Sequence, residues 1–110
     1  MTHIHIDRLD GSSPVQATGS IDGRWAFYFR GRHGRWQFTA GPKELTVDVF
    51  DRYYPKHLIE VQLGYEQDDR VLVLEGDDDE QGYLDDEVAR TMIAVCVQQF
   101  VAWVRVQEQA

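Results

Sequence analysis

The chain has 110 residues, 43% of them hydrophobic and 12% aromatic, and a formal net charge of −8. That length gives one domain with one core, and the apolar share excludes a disordered acidic tail. The charge disfavours bare nucleic acid as a ligand, and no apolar run approaches the ~20 residues of a membrane span.

The N-terminal half is written in a period of two. Ile4 and Ile6 alternate with His3, His5 and Asp7, and Val15, Ala17, Gly19 and Ile21 alternate with Gln16, Thr18 and Ser20, which predicts two half-buried strands. Asp22-Gly23 then reads as a two-residue type I′ turn, whose central residues both need positive φ. Arg24 to Arg30 places Trp25, Phe27 and Phe29 on one face, and Arg35 to Ala40 does the same with Trp36 and Phe38. Gly31-Arg32-His33-Gly34 supplies the reversal between them.

Gly41-Pro42 is expected to break the ladder, after which Leu45, Val47 and Val49 resume the alternation. Asp51 to His57 reads as a loop. Ile59, Val61, Leu63 and Tyr65 alternate again, Gln67-Asp68-Asp69 turns, and the apolar run Val71 to Leu74 completes a second hairpin.

The period then changes to that of a helix. Two rows, one through Val88, Met92, Gln99 and Trp103 and one through Ala89, Ile93, Phe100 and Val104, form a wide apolar stripe, with Val95, Cys96 and Val97 between them. Asp85 is placed as N-cap, Asp86 and Glu87 complement the positive end of the dipole, and the helix is expected from Asp86 to near Gln107. The fold class that satisfies both patterns is α+β: a twisted antiparallel meander of five to seven strands with one long C-terminal helix on one face. Val95, Ala102 and Val106 fall on the outer side of that helix, where either the sheet wraps around or a second copy packs.

The single Cys96 lies in an apolar run and reads as a small buried hydrophobe. A lone cysteine permits no disulfide within the chain, and Met1 to Asp10 has no apolar signal region. The expected compartment is therefore the cytoplasm.

Charge divides the chain. From Met1 to Leu63, eight Lys or Arg stand against seven acids, a net of +1; from Gly64 to Ala110, three Arg stand against twelve acids, a net of −9. The densest stretch, Asp77 to Val88, matches a calcium loop in part. Asp77 and Asp79 fall at its first and third ligand positions, Gly82 at its turn, Tyr83 at its carbonyl position and Asp85 at its ninth. Gln81 at the fifth position, Val88 in place of the bidentate Glu and a preceding strand depart from that pattern. The reading is a solvated turn, with no metal and no cofactor expected. His3 and His5 share a strand face but lack a third ligand at diagnostic spacing.

Arg30, Arg32, His33 and Arg35, interleaved with Trp25, Tyr28 and Trp36, have the composition of a nucleic-acid surface. The global charge opposes it, and these cations are expected to pair with carboxylates. No nucleophile, P-loop or dinucleotide motif appears, so the expectation is a non-enzyme. The candidate partner-binding residues are Asp68, Asp69, Asp77, Asp78, Asp79, Glu80, Asp85, Asp86 and Glu87, together with Tyr53 and Tyr54 in an aromatic loop beside Arg52 and Lys56.

The hairpin from Gly19-Ser20-Ile21-Asp22-Gly23 through Phe27-Tyr28-Phe29-Arg30-Gly31-Arg32 to Trp36-Gln37-Phe38 resembles one in small uncharacterised bacterial, phage and mobile-element proteins. In size and charge the chain also resembles phage-encoded inhibitors of bacterial defence, including anti-CRISPR proteins. That resemblance implies an acidic protein that docks on a basic protein surface, such as a defence-complex subunit, and blocks its nucleic-acid-binding site without itself binding nucleic acid or a membrane. The other expectation is a small structural or assembly module acting through homo-oligomerisation, for instance as a homodimer.

Overall fold

Alternating apolar residues build four consecutive antiparallel strands: β1 (Ile4–Asp10), β2 (Val15–Ile21), β3 (Trp25–Arg32) and β4 (Arg35–Pro42). The computed structural model describes residues 2–10, 15–32, 34–49, 58–61, 70–77 and 86–109. A 3₁₀ turn at Lys43–Leu45 leads to β5 (Thr46–Val49), and β6 (Leu58–Val61), β7 (Leu72–Asp77) and the helix α1 (Asp86–Gln109) follow. The sheet has the strand order β1-β2-β3-β4-β7, and β5 and β6 form a separate two-stranded ribbon. Every pairing is antiparallel, and the single long helix makes this the expected α+β layering.

Three local expectations change. At Asp22-Gly23 both φ angles are positive, 52° and 68°, and the Arg24 N–H donates to the Ile21 carbonyl at 3.0 Å, as a type I′ turn requires. The first pair beyond it is Ile21 with Trp25, so Arg24 belongs to the loop. Neighbouring strands hold the extra residue. The Asp22 N–H donates to the His3 carbonyl at 2.8 Å, the His3 N–H donates to Asp22 Oδ1 at 2.6 Å, and the Arg24 carbonyl accepts from the Lys43 N–H at 3.2 Å.

Gly41-Pro42 does not end the ladder, because Gly41 pairs with Ala26 and Pro42 with Trp25. Hydrogen-bonded pairs alternate in an antiparallel ladder, and the neighbouring Arg24 and Lys43 are bonded, so the Pro42 nitrogen faces away from β3. On that side β7 reaches only to Leu72, opposite Ala40, and no N–H is required. At the β3–β4 tip, Gly31 pairs with Trp36 inside the ladder, and Arg32 pairs with Arg35. Gly34, at φ 76°, is the glycine that the reversal uses.

The third change is topological. β7 does not form a hairpin with β6. It pairs with β4, and β6 pairs with β5. The face of β4 that carries Phe38 and Ala40 is continued by Leu72 and Leu74, so this pairing extends a ready-made apolar surface. The expected loop at 51–57, and Leu63, Tyr65 and the turn at 67–69, lie outside the described residues.

One sheet face faces α1. Val15, Ala17 and Ile21 of β2, Phe27 and Phe29 of β3, and Phe38 and Ala40 of β4 are buried against Ala89, Ile93, Cys96, Val97 and Phe100. The opposite face is also covered: Thr18, Ala26, Tyr28 and Thr39 are buried there, and β6 lies beside β2, β3 and β4. The layers are thus helix, sheet and ribbon. At the edge, β1 carries a bulge between Ile6 and Arg8 that leaves Asp7 without a partner in the ladder, so Ile6 and Leu9 both turn to the core. Such a bulge also blunts an exposed edge.

Two aromatic rings lie across bare backbone in a neighbouring strand. Phe27 is directly opposite Gly19, and a Cβ there would sit 2.5 Å from its ring and clash with the His5 carbonyl oxygen. Trp36 is directly opposite Gly76, where a Cβ would again come within 2.5 Å of the indole. The rings also stack diagonally along β3 and β4, Phe27 on Phe38 at 5.7 Å and Phe29 on Trp36 at 6.3 Å between centroids.

α1 is longer at its C-terminus than expected by two residues, and at 24 residues it spans ~36 Å. Its buried line is the row through Ala89, Ile93 and Phe100. Val88 and Gln99 of the other predicted row are exposed, and Val95 and Val106 are also exposed, so the sheet does not wrap around them. Trp25 meets Phe100 edge-on at 5.8 Å, and Phe100 meets Trp103 at 5.9 Å. Arg24 lies 4.5 Å over the Trp25 ring and 3.8 Å from Glu108, whose charge is otherwise at the unfavourable end of the helix dipole.

Gly19→Ala should destabilise the chain by about 2–3 kcal/mol, since both backbone and ring oppose the new methyl. Gly23→Ala, where a Cβ meets open space but φ is +68°, should cost only about 1 kcal/mol. Urea unfolding of the two variants measures this, and equal losses would count against the ring-on-glycine packing.

Burial pushes the Cys96 thiol from its ordinary value of 9.0 up to about 11. The folded state therefore holds this proton more tightly than the unfolded state, so the stabilisation is complete below pH 9 and is lost as pH rises through about 11. At pH 8 the native thiol should react with a disulfide reagent at least about a hundredfold more slowly than in denaturant. Equal rates would show that Cys96 is not enclosed.

Candidate functional site

The acidic run is fixed at both ends by regular structure. Asp77 is the last residue of β7, and Asp86 and Glu87 form the first turn of α1, all three exposed. Asp77 is paired in register with Arg35 at the β3–β4 tip, so the run leaves the sheet at that end. The helix then travels back along the sheet, because Phe100 packs on Trp25 and Glu108 approaches Arg24 beside the opposite turn. Strand pairing and helix packing together place Asp77, Asp86 and Glu87 at the tip end of the molecule.

Negative side chains here have favourable local placement. Asp86 and Glu87 face the positive end of the helix dipole. The Thr91 hydroxyl donates to the Glu87 backbone carbonyl at 3.0 Å, and the Glu87 residue is exposed.

Asp77 is partly compensated. Arg35 Nε lies 3.8 Å from Asp77 Oδ1, with both side chains largely exposed. Two residues inward on the same face, Gln37 Nε2 donates to Glu75 Oε1 at 3.1 Å. An exposed pair of this kind is worth about 0–1 kcal/mol and is screened by salt, so it orders the corner more than it removes charge. Of the tip cations, expected to pair with the chain's own carboxylates or a partner's, Arg35 meets one of the chain's own. Arg30 is half-buried, and its Nε is enclosed with no hydrogen-bond partner among the described residues. The side chains of Arg32 and His33 lie outside the described residues.

The Arg35–Asp77 and Gln37–Glu75 contacts escaped the sequence reading because they need β7 beside β4. The signal was present: the alternation Val73, Glu75, Asp77 sets three residues on the face shared with Arg35, Gln37 and Thr39. Asp68, Asp69, Asp78, Asp79, Glu80, Asp85, Tyr53 and Tyr54 lie outside the described residues, as does the N-cap assigned to Asp85.

His5 Nε2 lies 2.9 Å from Asp7 Oδ1, and the backbone of His3 is engaged with Asp22, so the two histidines have separate surroundings. Among the described residues, no group of three His, Cys, Asp or Glu is placed to hold a metal ion, and no helix is long and apolar enough to cross a membrane. Comparison with known proteins gives no match to a family model, to a curated protein or to a solved structure.

Proposed function

We propose that this chain is a non-enzymatic binding protein whose acidic run docks on a basic protein surface and occupies a site meant for nucleic acid. Carboxylates stand in for phosphates: they speed encounter through their field and then cover the cations that a nucleic-acid backbone needs. The observation that carries this reading is the anchoring of the run, with exposed Asp77 at one end and exposed Asp86 and Glu87 at the other. Asp78, Asp79, Glu80 and Asp85 are the acids between them, and Asp68, Asp69, Tyr53 and Tyr54 are assigned to the same surface from the sequence.

The likeness in size and charge to anti-CRISPR proteins makes a bacterial defence nucleoprotein the partner to test first. The setting we assign is cytoplasmic, where Cys96 stays a thiol. The Arg35–Asp77 contact bears on mechanism: a basic partner of higher charge density displaces Arg35, a loose and screened competitor.

The test is competition for a defence effector captured from the native host, read by displacement of labelled nucleic acid. The triple variant Asp77→Lys, Asp78→Lys, Asp79→Lys should lower the association rate on the order of a hundredfold at low salt, with unchanged circular dichroism. Unchanged displacement by the triple variant would remove the phosphate-mimic mechanism, and failure to capture any basic partner would remove the reading itself.

A further inference from the structure

One flank of α1 carries an apolar row that stays largely exposed among the described residues, with Met92 partly packed on the core. Val88, Met92, Val95, Gln99, Ala102 and Val106 follow one another at alternating steps of four and three, the spacing of a helix-pair seam. The sheet leaves it open: Val95 is 49% and Val106 64% exposed, Val88 is 38% exposed, and Ala102 and Gln99 also face solvent.

Two properties identify the occupant. First, the row is self-complementary about Val97. Read in reverse from a second helix, Val106 meets Val88, Ala102 meets Met92 and Gln99 meets Val95, so each position finds its counterpart across a two-fold axis. An isologous interface requires this of one surface. Second, the charges agree with that direction. Glu87 and Arg105 lie about five full turns apart and so share one flank of the row. Neither has an ion-pair partner among the described residues, and in an antiparallel pair Glu87 of each helix comes beside Arg105 of the other. In a parallel pair that flank would face the opposite flank of the other helix, and the two residues would stay apart.

The charge distribution also permits the approach. Within Asp86–Gln109 the acids Asp86, Glu87 and Glu108 are nearly balanced by Arg90 and Arg105, whereas the residues from Gly64 to Asp85 carry nine acids and one Arg. Two copies of a strongly anionic protein meet with little repulsion along this helix.

We propose that a second copy of this chain docks on the outer face of α1, giving an antiparallel helix pair centred near Val97. Gln99, the one polar residue in the row, fixes the register, since a polar group in an apolar seam tolerates few alignments. The inference is independent of the acidic run, and a dimer would present two such runs to a partner.

Sedimentation equilibrium of the full chain over a range of concentrations tests it, with circular dichroism to confirm the fold of each variant. The wild-type chain should reach a dimer, and Val95→Lys should return it to monomer. Glu87→Arg and Arg105→Glu should each weaken association about tenfold by removing two symmetric ion pairs. Both substitutions together should restore it, because the charges are then exchanged. A monomer at every concentration, a dimer indifferent to Val95→Lys, or a double variant no tighter than the single ones would overturn the proposal.

Discussion

Everything in this fold depends on covering one aromatic sheet face. Phe27, Phe29 and Phe38 are fully buried in the middle of the sheet, and two rings of this face, Phe27 and Trp36, lie over bare backbone in a neighbouring strand. Gly19 accepts the ring of Phe27, and Gly76 accepts the indole of Trp36. Each glycine weakens its own strand by about 0.5–1 kcal/mol relative to alanine, and each fully buried large apolar side chain returns about 1.5–3 kcal/mol. The balance favours the rings, and strand order follows: β7 must lie beside β4 for Gly76 to lie beneath Trp36.

The helix is a consequence of that face. Six valines, Ile93 and Thr91 occur among its 24 residues, and β-branched side chains lower helix propensity. Such a segment is helical because Ala89, Ile93, Val97 and Phe100 fit the sheet. The direction of α1 is set by Trp25 and Phe100 at one end, and the acidic run is thereby held at the other. Packing of uncharged rings decides where the charge is presented, while the carboxylates contribute little to holding the molecule together.

Much of this was legible from residue order. Strict alternation located β1 to β5, and the 3.6-residue rows located α1 from its first residue, because one-sided burial writes itself into a sequence as a period. Long-range choices were hidden. Nothing local distinguishes β7 pairing with β6 from β7 pairing with β4, since both edges accept an apolar run such as Val71 to Leu74. Arg24 reads as a strand residue because the bond that its carbonyl accepts in the loop comes from Lys43, 19 residues away along the chain. The same blindness concealed the Arg35–Asp77 contact. The acids of the run could be counted beforehand, but their anchoring could not, because it follows from β7 pairing and helix direction.

Amide hydrogen exchange over the whole chain tests most directly whether the sheet makes the helix. If it does, the amides of β2, β3 and β4 and those of α1 from Ala89 to Phe100 open together, as one unit with one free energy. A helix that exchanges far faster than β3, or one that keeps its protection when the sheet is loosened by Phe27→Ala, would contradict it.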